Sequence, residues 1–382
     1  MLVYLVQPAI PHYRRPLFSA LARHEDIDLQ IAAPLEPADT YPDSERAIQF
    51  HPLTLRDIFG GLATSYPEAA LPTQMGPGDV LVVPGNPRIL TIFPLIRAAR
   101  RRGMGVVWWG HGWSSTSQSW RAKLRQAMMR RLADVWLLYT EAEAKSLAGR
   151  GFPTEQLFFT NNTIDETAVD TAIALWDEAR LRGFVEAEGL MGRKAILFCG
   201  RLTPKSEVGL LIEALPVLLK QIPEAQLLVI GDGELSDTLE RRAAELNLSD
   251  RLRLLGALHG EEVLAPWFLS SACFVYPGAV GLSLNHAFAY GLPVVTHDNP
   301  RQQMPEFAAL TAGRNGLLFQ QHDKISLAES LAELLADEQL RLTLGQNAFR
   351  TVRGPFSMER MVANFAAAIH TASRSARQDT RA

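Results

Sequence analysis

Cysteine is scarce in this chain: 382 residues hold two, Cys199 and Cys273, each inside an apolar run. That excludes a small scaffold stapled by disulfides and fits a reducing compartment. Long apolar runs are missing as well. No window approaches the roughly 18 apolar residues that a spanning helix needs. The opening LVYLV is a strand pattern with no basic segment ahead of it, so no secretory leader is read there and a cytoplasmic location is expected. Short internal repeats and low-complexity tracts are absent. Acidic residues are absent from Val80 to Ala133, where ten Lys and Arg stand unbalanced. No stacking platform or groove-reading motif accompanies those charges, which argues against nucleic acid. A metal constellation is missing too. The nearest thing, Asp26 and Asp28, falls in a polar turn, and no metal or other cofactor is expected.

What remains is globular composition, 47% hydrophobic and 21% charged, in a chain long enough for two domains. Short apolar runs alternate with helical periods. Leu2–Val6 reads as a strand, and the loop after it carries His12, Tyr13 and Arg14 ahead of a helix with Pro16 in its first turn. Further strands are read at Leu29–Ala33, Val80–Pro84, Val106–Trp109, Val135–Tyr139 and Leu157–Phe159. His111 stands between two glycines at the end of the Val106–Trp109 strand, where open α/β sheets bind ligands. The helix from Trp120 spaces Leu124, Met128, Leu132 and Trp136 as a core stripe and carries basic residues on its other face. Residues 171–192 read as a polar helical linker. A second α/β unit follows from 193 to 356. The last helix, 357–382, is expected to pack back on the first domain, residues 1–170, with its tail frayed beyond Ser373. The fold class is therefore α/β: two doubly wound parallel sheets facing across a cleft.

In the second half, Phe274–Tyr276 is a strand that Pro277 stops. Gly278 and Gly281 shape the loop, a helix runs from Leu282 to Tyr290, and Gly291 and Pro293 end it before the strand Val294–Thr296. A helix that begins directly after a glycine loop turns its free N–H groups and positive dipole end toward an anion. Two other strands enter GRLTPKS (Gly200 to Ser206) and GDGE (Gly231 to Glu234). In a parallel sheet these three loops converge on one edge. Arg201 and Lys205 bring two cations to it, the make-up of a diphosphate site.

These residues resemble the donor domain of GT-B glycosyltransferases, specifically glycosyltransferase family 4. The blocks that carry the resemblance are strand-Gly-Arg-Leu-x-x-x-Lys, GDG, RLRLLG, the glycine loop, AFAYGLPVV and NGLLF. In the first half it runs through the His111 loop and the N-x-x-D segment ending at Asp165. The resemblance implies transfer of a sugar from a nucleoside diphosphate to a lipid-linked or polysaccharide acceptor, with retention and without a metal. It implies that Arg201 and Lys205 hold the diphosphate and that His111 lies beside the donor sugar. The donor-binding set would comprise Gly200, Arg201, Lys205, Gly231, Gly233, Gly278, Gly281, Leu282, Ser283, His286 and Glu306, and the acceptor side His12, Tyr13 and Arg14.

Two departures mark a sub-branch. The family places one glutamate at the loop and another eight positions on, where it holds the ribose hydroxyls; here those positions are Gly278 and His286. His286 can make a hydrogen bond but carries no fixed negative charge, and Glu306 is the nearest remaining carboxylate. The missing pair keeps two alternatives open, a non-catalytic nucleotide-sugar-binding partner and a nucleotide-sugar epimerase of the same fold. The one-signed basic region (Arg100, Arg101, Arg102, Arg121, Lys123, Arg125, Arg130 and Arg131) points to an anionic membrane surface, with the chain peripheral on its inner face.

Overall fold

The computed structural model describes residues 1–34, 48–58, 63–112 and 120–379, except for the side chains of residues 120–122 and 378–379. The chain divides into two compact units, Met1–Asn161 with Met358–Ala382, and Asn162–Ser357.

The first unit is built from β1 (Leu2–Val6), α1 (Arg15–Ala22), β2 (Asp28–Ala33), β3 (Gln49–Pro52), β4 (Arg56–Ile58), β5 (Ala63–Ser65), β6 (Val80–Pro84), α2 (Ile92–Arg101), β7 (Gly105–Trp109), α3 (Trp120–Leu132), β8 (Val135–Leu138), α4 (Glu141–Ala148) and β9 (Leu157–Phe159). Seven of these strands form a parallel sheet in the order β3-β2-β1-β6-β7-β8-β9, and β4 and β5 make a separate antiparallel ribbon. Runs such as VLVVP and GVVWW are apolar at every position because helices cover both faces of a parallel sheet. On one face lie Ile92, Leu95, Met129 and Leu147; on the other, Leu17, Phe18 and Leu21 from α1.

The second unit runs through α5 (Glu166–Ala174), α6 (Glu178–Ala187), β10 (Lys194–Cys199), α7 (Val208–Leu218), β11 (Ala225–Ile230), α8 (Ser236–Glu245), β12 (Leu252–Leu254), α9 (Glu261–Leu269), β13 (Cys273–Tyr276), α10 (Leu282–Ala289), β14 (Val294–His297), β15 (Gly316–Phe319), α11 (Lys324–Ala336) and α12 (Glu338–Val352). Its strands form one parallel sheet in the order β12-β11-β10-β13-β14-β15. The final helix, α13 (Met358–Asp379), returns to the first unit and packs on β7, β8, β9 and α1.

Three expectations change. Residues 171–192 are not a linker: Val169, Ala172 and Leu190 are buried, with Trp176 and Phe184 against them, and the boundary between units falls at Asn162. Beyond Ser373 the chain stays helical to Asp379, with Ala376 buried and the Ser373 hydroxyl donating to the Gly78 carbonyl at 2.6 Å; residues 380–382 lie outside the described residues. On α3 the buried position is Met129, whereas Leu124 is 60% exposed. The chain leaves the helix for β8 after Leu132, so Trp136 belongs to the sheet and the supposed stripe is broken. Among the described residues, no helix is long and apolar enough to cross a membrane.

Phe365 anchors α13 in the first unit: it is fully buried and meets Trp109 edge-on at 4.9 Å between ring centroids. Phe365→Ala should cost about 3–5 kcal/mol. Urea unfolding followed by tryptophan fluorescence reads it as a lower midpoint, and an unchanged midpoint would show that the sheet does not depend on this helix.

Candidate functional site

In the second unit the order of strands reverses between β10 and β13, since β11 lies on one side of β10 and β13 on the other. Loops that leave the carboxyl ends of strands at such a point frame a crevice. Here the three loops read from the sequence touch through backbone alone. A Cβ on Gly231 would fall inside contact with the Gly200 carbonyl, one on Gly233 against the Leu202 carbonyl, and one on Gly278 against the Lys205 carbonyl. Leu202 N–H donates to the Asp232 carbonyl at 3.0 Å and Gly278 N–H to the Ser206 carbonyl at 3.0 Å. Gly231 also has φ +142°, a conformation that L side chains rarely adopt.

Around that framework stand charges of both signs: the Asp232 carboxylate accepts from the Gly233 N–H and the Ser236 hydroxyl, and Glu207 bonds to His322. Arg201 and Lys205 are exposed, and among the described residues neither meets a carboxylate. Gly281 caps α10 without any side chain accepting from its first turn, and that turn holds no acidic residue. The free amides around Leu282 and Ser283 therefore add a positive helix end to the two cations. One neighbouring amide is already used: Val280 N–H donates to Gln303 Oε1 at 2.8 Å. Gln303 is held in turn by its own bonds to Thr296 Oγ1 and the His297 carbonyl.

His286 itself carries no negative charge, but a carboxylate stands against it. Glu261, the first residue of α9, accepts from His286 Nε2 at 2.9 Å and from the Tyr290 hydroxyl at 2.8 Å, both on the same carboxylate oxygen. Phe268 packs against both rings, at 4.5 and 4.7 Å. Burial pushes the Glu261 carboxyl up, but the bonds from His286 and Tyr290 outweigh it and leave the group below its ordinary value. Burial and the adjacent carboxylate push the Tyr290 phenol up. Sequence reasoning missed Glu261, because GEE after a glycine reads only as the acidic first turn of a helix.

Glu306 lies in the turn Pro305–Ala309, buried and close to Gly281. Its Oε1 accepts from Asn162 Nδ2 at 3.0 Å, and the Asn162 carbonyl accepts from the fully buried Asn285 on α10 at 2.7 Å. These bonds fix the start of α10. Asp165 caps α5 through the Thr167 N–H, so that residue of the N-x-x-D segment serves the helix.

In the first unit the strand order reverses between β1 and β6, and the loop with His12, Tyr13 and Arg14 leaves β1 at that point. Arg14 donates to Gln7 Oε1 at 2.7 Å and lies over the Trp109 ring at 4.6 Å. His12 and Tyr13 stack edge-on. His111 follows β7 and bonds through Nδ1 to Glu143 Oε1 at 2.9 Å. A carboxylate only accepts, so Nδ1 carries the proton and Nε2 is the ring's available acceptor. The imidazole is 48% exposed and the carboxylate 6%. Glu143 sits in the first turn of α4, its other oxygen taking the Tyr139 N–H, while Thr140 caps Glu143 itself. The sequence shows this stretch only as a capping pattern.

Similarity to known proteins follows the same division. The family model for glycosyl transferases group 1 matches residues 185–351. The match falls within the second unit, and the chain as a whole has the GT-B fold. A D-inositol 3-phosphate glycosyltransferase of Corynebacterium efficiens is 32% identical over 168 residues, 42% of this chain and 39% of that protein. The lipopolysaccharide core biosynthesis glycosyltransferase LpsE of Rhizobium meliloti is 28% identical over 167 residues, 43% of this chain and 46% of its own length. The match thus spans less than half of either relative. Structures that share the fold across both units include HepE of Anabaena in complex with UDP, with TM-score 0.69 at 16% identity over 96% of this chain and 98% of that one. A glycosyltransferase from Rickettsia africae has TM-score 0.72 at 13% identity, covering 97% and 98%.

The contact at Gly278 bears on the missing glutamate. Gly278→Glu should not restore a donor-side carboxylate but push the Lys205–Ser206 backbone away, destabilising the second unit by about 2–3 kcal/mol. Thermal unfolding of the variant checks this, and a stability equal to wild type would mean that the loops have room to separate.

Proposed function

We propose that this chain transfers a sugar from a nucleoside diphosphate sugar to a saccharide or lipid-linked acceptor, with retention and without a metal. The observation that carries the reading is the pair of exposed cations, Arg201 and Lys205, which meet no carboxylate among the described residues, beside an uncapped helix end at the β10/β13 reversal. When the glycosidic bond to a diphosphate breaks, negative charge builds on the leaving oxygens. Fixed cations and helix amides stabilise that charge more than the ground state. The group 1 match and the curated glycosyltransferase relatives support the reading, as do the UDP complexes of HepE. In the same reading, Glu261 with His286 takes the part of the absent second glutamate, a carboxylate accepting from ribose hydroxyls. His111, oriented by Glu143, meets a sugar hydroxyl through Nε2.

A screen of nucleotide sugars by thermal shift finds the donor, and transfer is then assayed with it. Arg201→Ala and Lys205→Ala should each raise the barrier by about 3 kcal/mol, a loss near a hundredfold, with unfolding midpoints unchanged. Glu261→Gln should weaken donor binding more than turnover. EDTA should leave the rate unchanged, and proton NMR of the product should show the donor's anomeric configuration. Wild-type turnover in both cation variants would sink the diphosphate assignment; binding without transfer would make the chain a nucleotide-sugar-binding partner.

For the acceptor side we propose attachment to an anionic bilayer on the cytoplasmic face through α3. The structure redistributes the basic residues on which the expectation rested. Arg100 pairs with Asp134, Arg102 donates to the Pro72 carbonyl, Arg125 donates to the Gly85 and His111 carbonyls, and Arg130 bonds the Arg150 carbonyl beneath Phe152. Arg121 lies outside the described side chains. Lys123 and Arg131 remain exposed, and Leu124, Ala127, Met128 and Leu132 of the same helix line, with Pro87 from the loop after β6, a mainly apolar groove of about 510 Å³ that Arg125 and Arg131 border. Cations beside exposed apolar side chains suit an interface where headgroups and acyl chains meet. Flotation should need anionic vesicles, fall with salt, and be lost in Lys123→Gln/Leu124→Asp/Arg131→Gln. Equal recovery with neutral and anionic vesicles would end the idea.

A further inference from the structure

At the other edge of the first unit's sheet, three side chains of metal-ligating chemistry meet. His24 follows α1, Asp26 lies in the turn into β2, and His370 is on α13; their ligand atoms all lie within 4.8 Å of one another. The two imidazoles are 5.7 Å apart between centroids. Among the described residues, no side-chain hydrogen bond or ion pair engages any of the three. Two cations stand near: Arg374, one turn along α13, is turned to the Thr371 hydroxyl at 2.9 Å, and the Met1 ammonium donates to the Asp26 backbone carbonyl at 2.9 Å, leaving the carboxylate unused. The group is not the Asp26–Asp28 pair of the sequence: Asp28 opens β2 and stands outside it.

Two imidazoles and one carboxylate form a donor set for Zn²⁺ with water in the fourth position, whereas Ca²⁺ and Mg²⁺ take oxygen ligands. Ligand atoms bound tetrahedrally at about 2.0–2.1 Å stand about 3.4 Å apart. The present spacing therefore closes by side-chain rotation, for which exposed Asp26 has room. We propose that His24, Asp26 and His370 form a binding site for a divalent transition metal of the Zn²⁺ class that staples α13 to the α1–β2 turn. The site lies at the amino ends of the strands, opposite the edge that carries His111, so its part is structural and separate from sugar transfer. His370 stands more than three hundred positions along the chain from His24 and Asp26, the case in which a metal clip removes most freedom from the unfolded state.

The test uses the full chain stripped with EDTA and dialysed, with Zn²⁺ alone as the probe. Calorimetric titration should give one equivalent bound, and Zn²⁺ at about a hundred times its dissociation constant should raise Tm by about 5 °C. Co²⁺ in its place should give the visible bands of a tetrahedral centre. His24→Ala and His370→Ala should each weaken binding by at least about 10-fold and abolish the Tm rise, with circular dichroism unchanged. Zn²⁺ binding that persists at wild-type affinity in both variants would overturn the site, as would a wild-type Tm that Zn²⁺ does not move.

Discussion

Backbone against backbone, with no side chain between, is the constraint on which the second unit's functional edge depends. Gly231 rests on the Gly200 carbonyl, Gly233 on Leu202 and Gly278 on Lys205. Because each contact excludes even a methyl group, the loops after β10, β11 and β13 act as one piece. The backbone that carries Arg201 and Lys205 therefore keeps a fixed relation to the amides at the start of α10. Preorganisation of this kind lets a few charges act strongly, since nothing has to be reoriented as charge develops.

The same constraint explains one departure from the family pattern. A glutamate at position 278 has no room because the Lys205–Ser206 turn occupies the space where its Cβ would stand. At the second departure a carboxylate arrives from a different element. His286 replaces a carboxylate on α10, but α9 returns one, Glu261, and ties it to His286 and Tyr290 in a partly buried network. Negative charge is thus kept near the position while its covalent origin moves along the chain. Two carboxylates take such positioning roles, Glu261 toward His286 and Glu143 toward His111, one in each unit.

Arginine in the first unit shows how little a run of like charge says about a surface. Arg125 is held by two carbonyls, and burial lowers its pKa, with Glu143 acting in the opposite sense. Arg130 lies over an aromatic ring and Arg100 reaches the one aspartate just beyond the basic stretch. Long basic side chains readily serve as internal struts because their stems are apolar and their heads satisfy several acceptors at once. Which of them face solvent is a matter of where α3 turns its sides, and on that helix Met129, not Leu124, takes the core.

The sequence by itself determined the alternation of strands and helices, the two parallel sheets, the strand-end glycine loops and the cations on them. Those features are local: periodicity, glycine and proline punctuation, and strands apolar on both faces because helices cover both. It set the boundary after residue 170, where the structure puts it at Asn162, since α5, which buries only Val169 and Ala172, and α6, which has only partly buried Phe184 and Val185 in the core, look like a linker until their partner α9 is known. It left Glu143 and Glu261 unnoticed, because an acidic residue in a helix's first turn has an ordinary local reason to be there. Only the tertiary structure brought each carboxylate to its histidine, and carried His370 to His24 and Asp26. Contacts between residues far apart in the chain follow from how elements pack, and no local pattern encodes them.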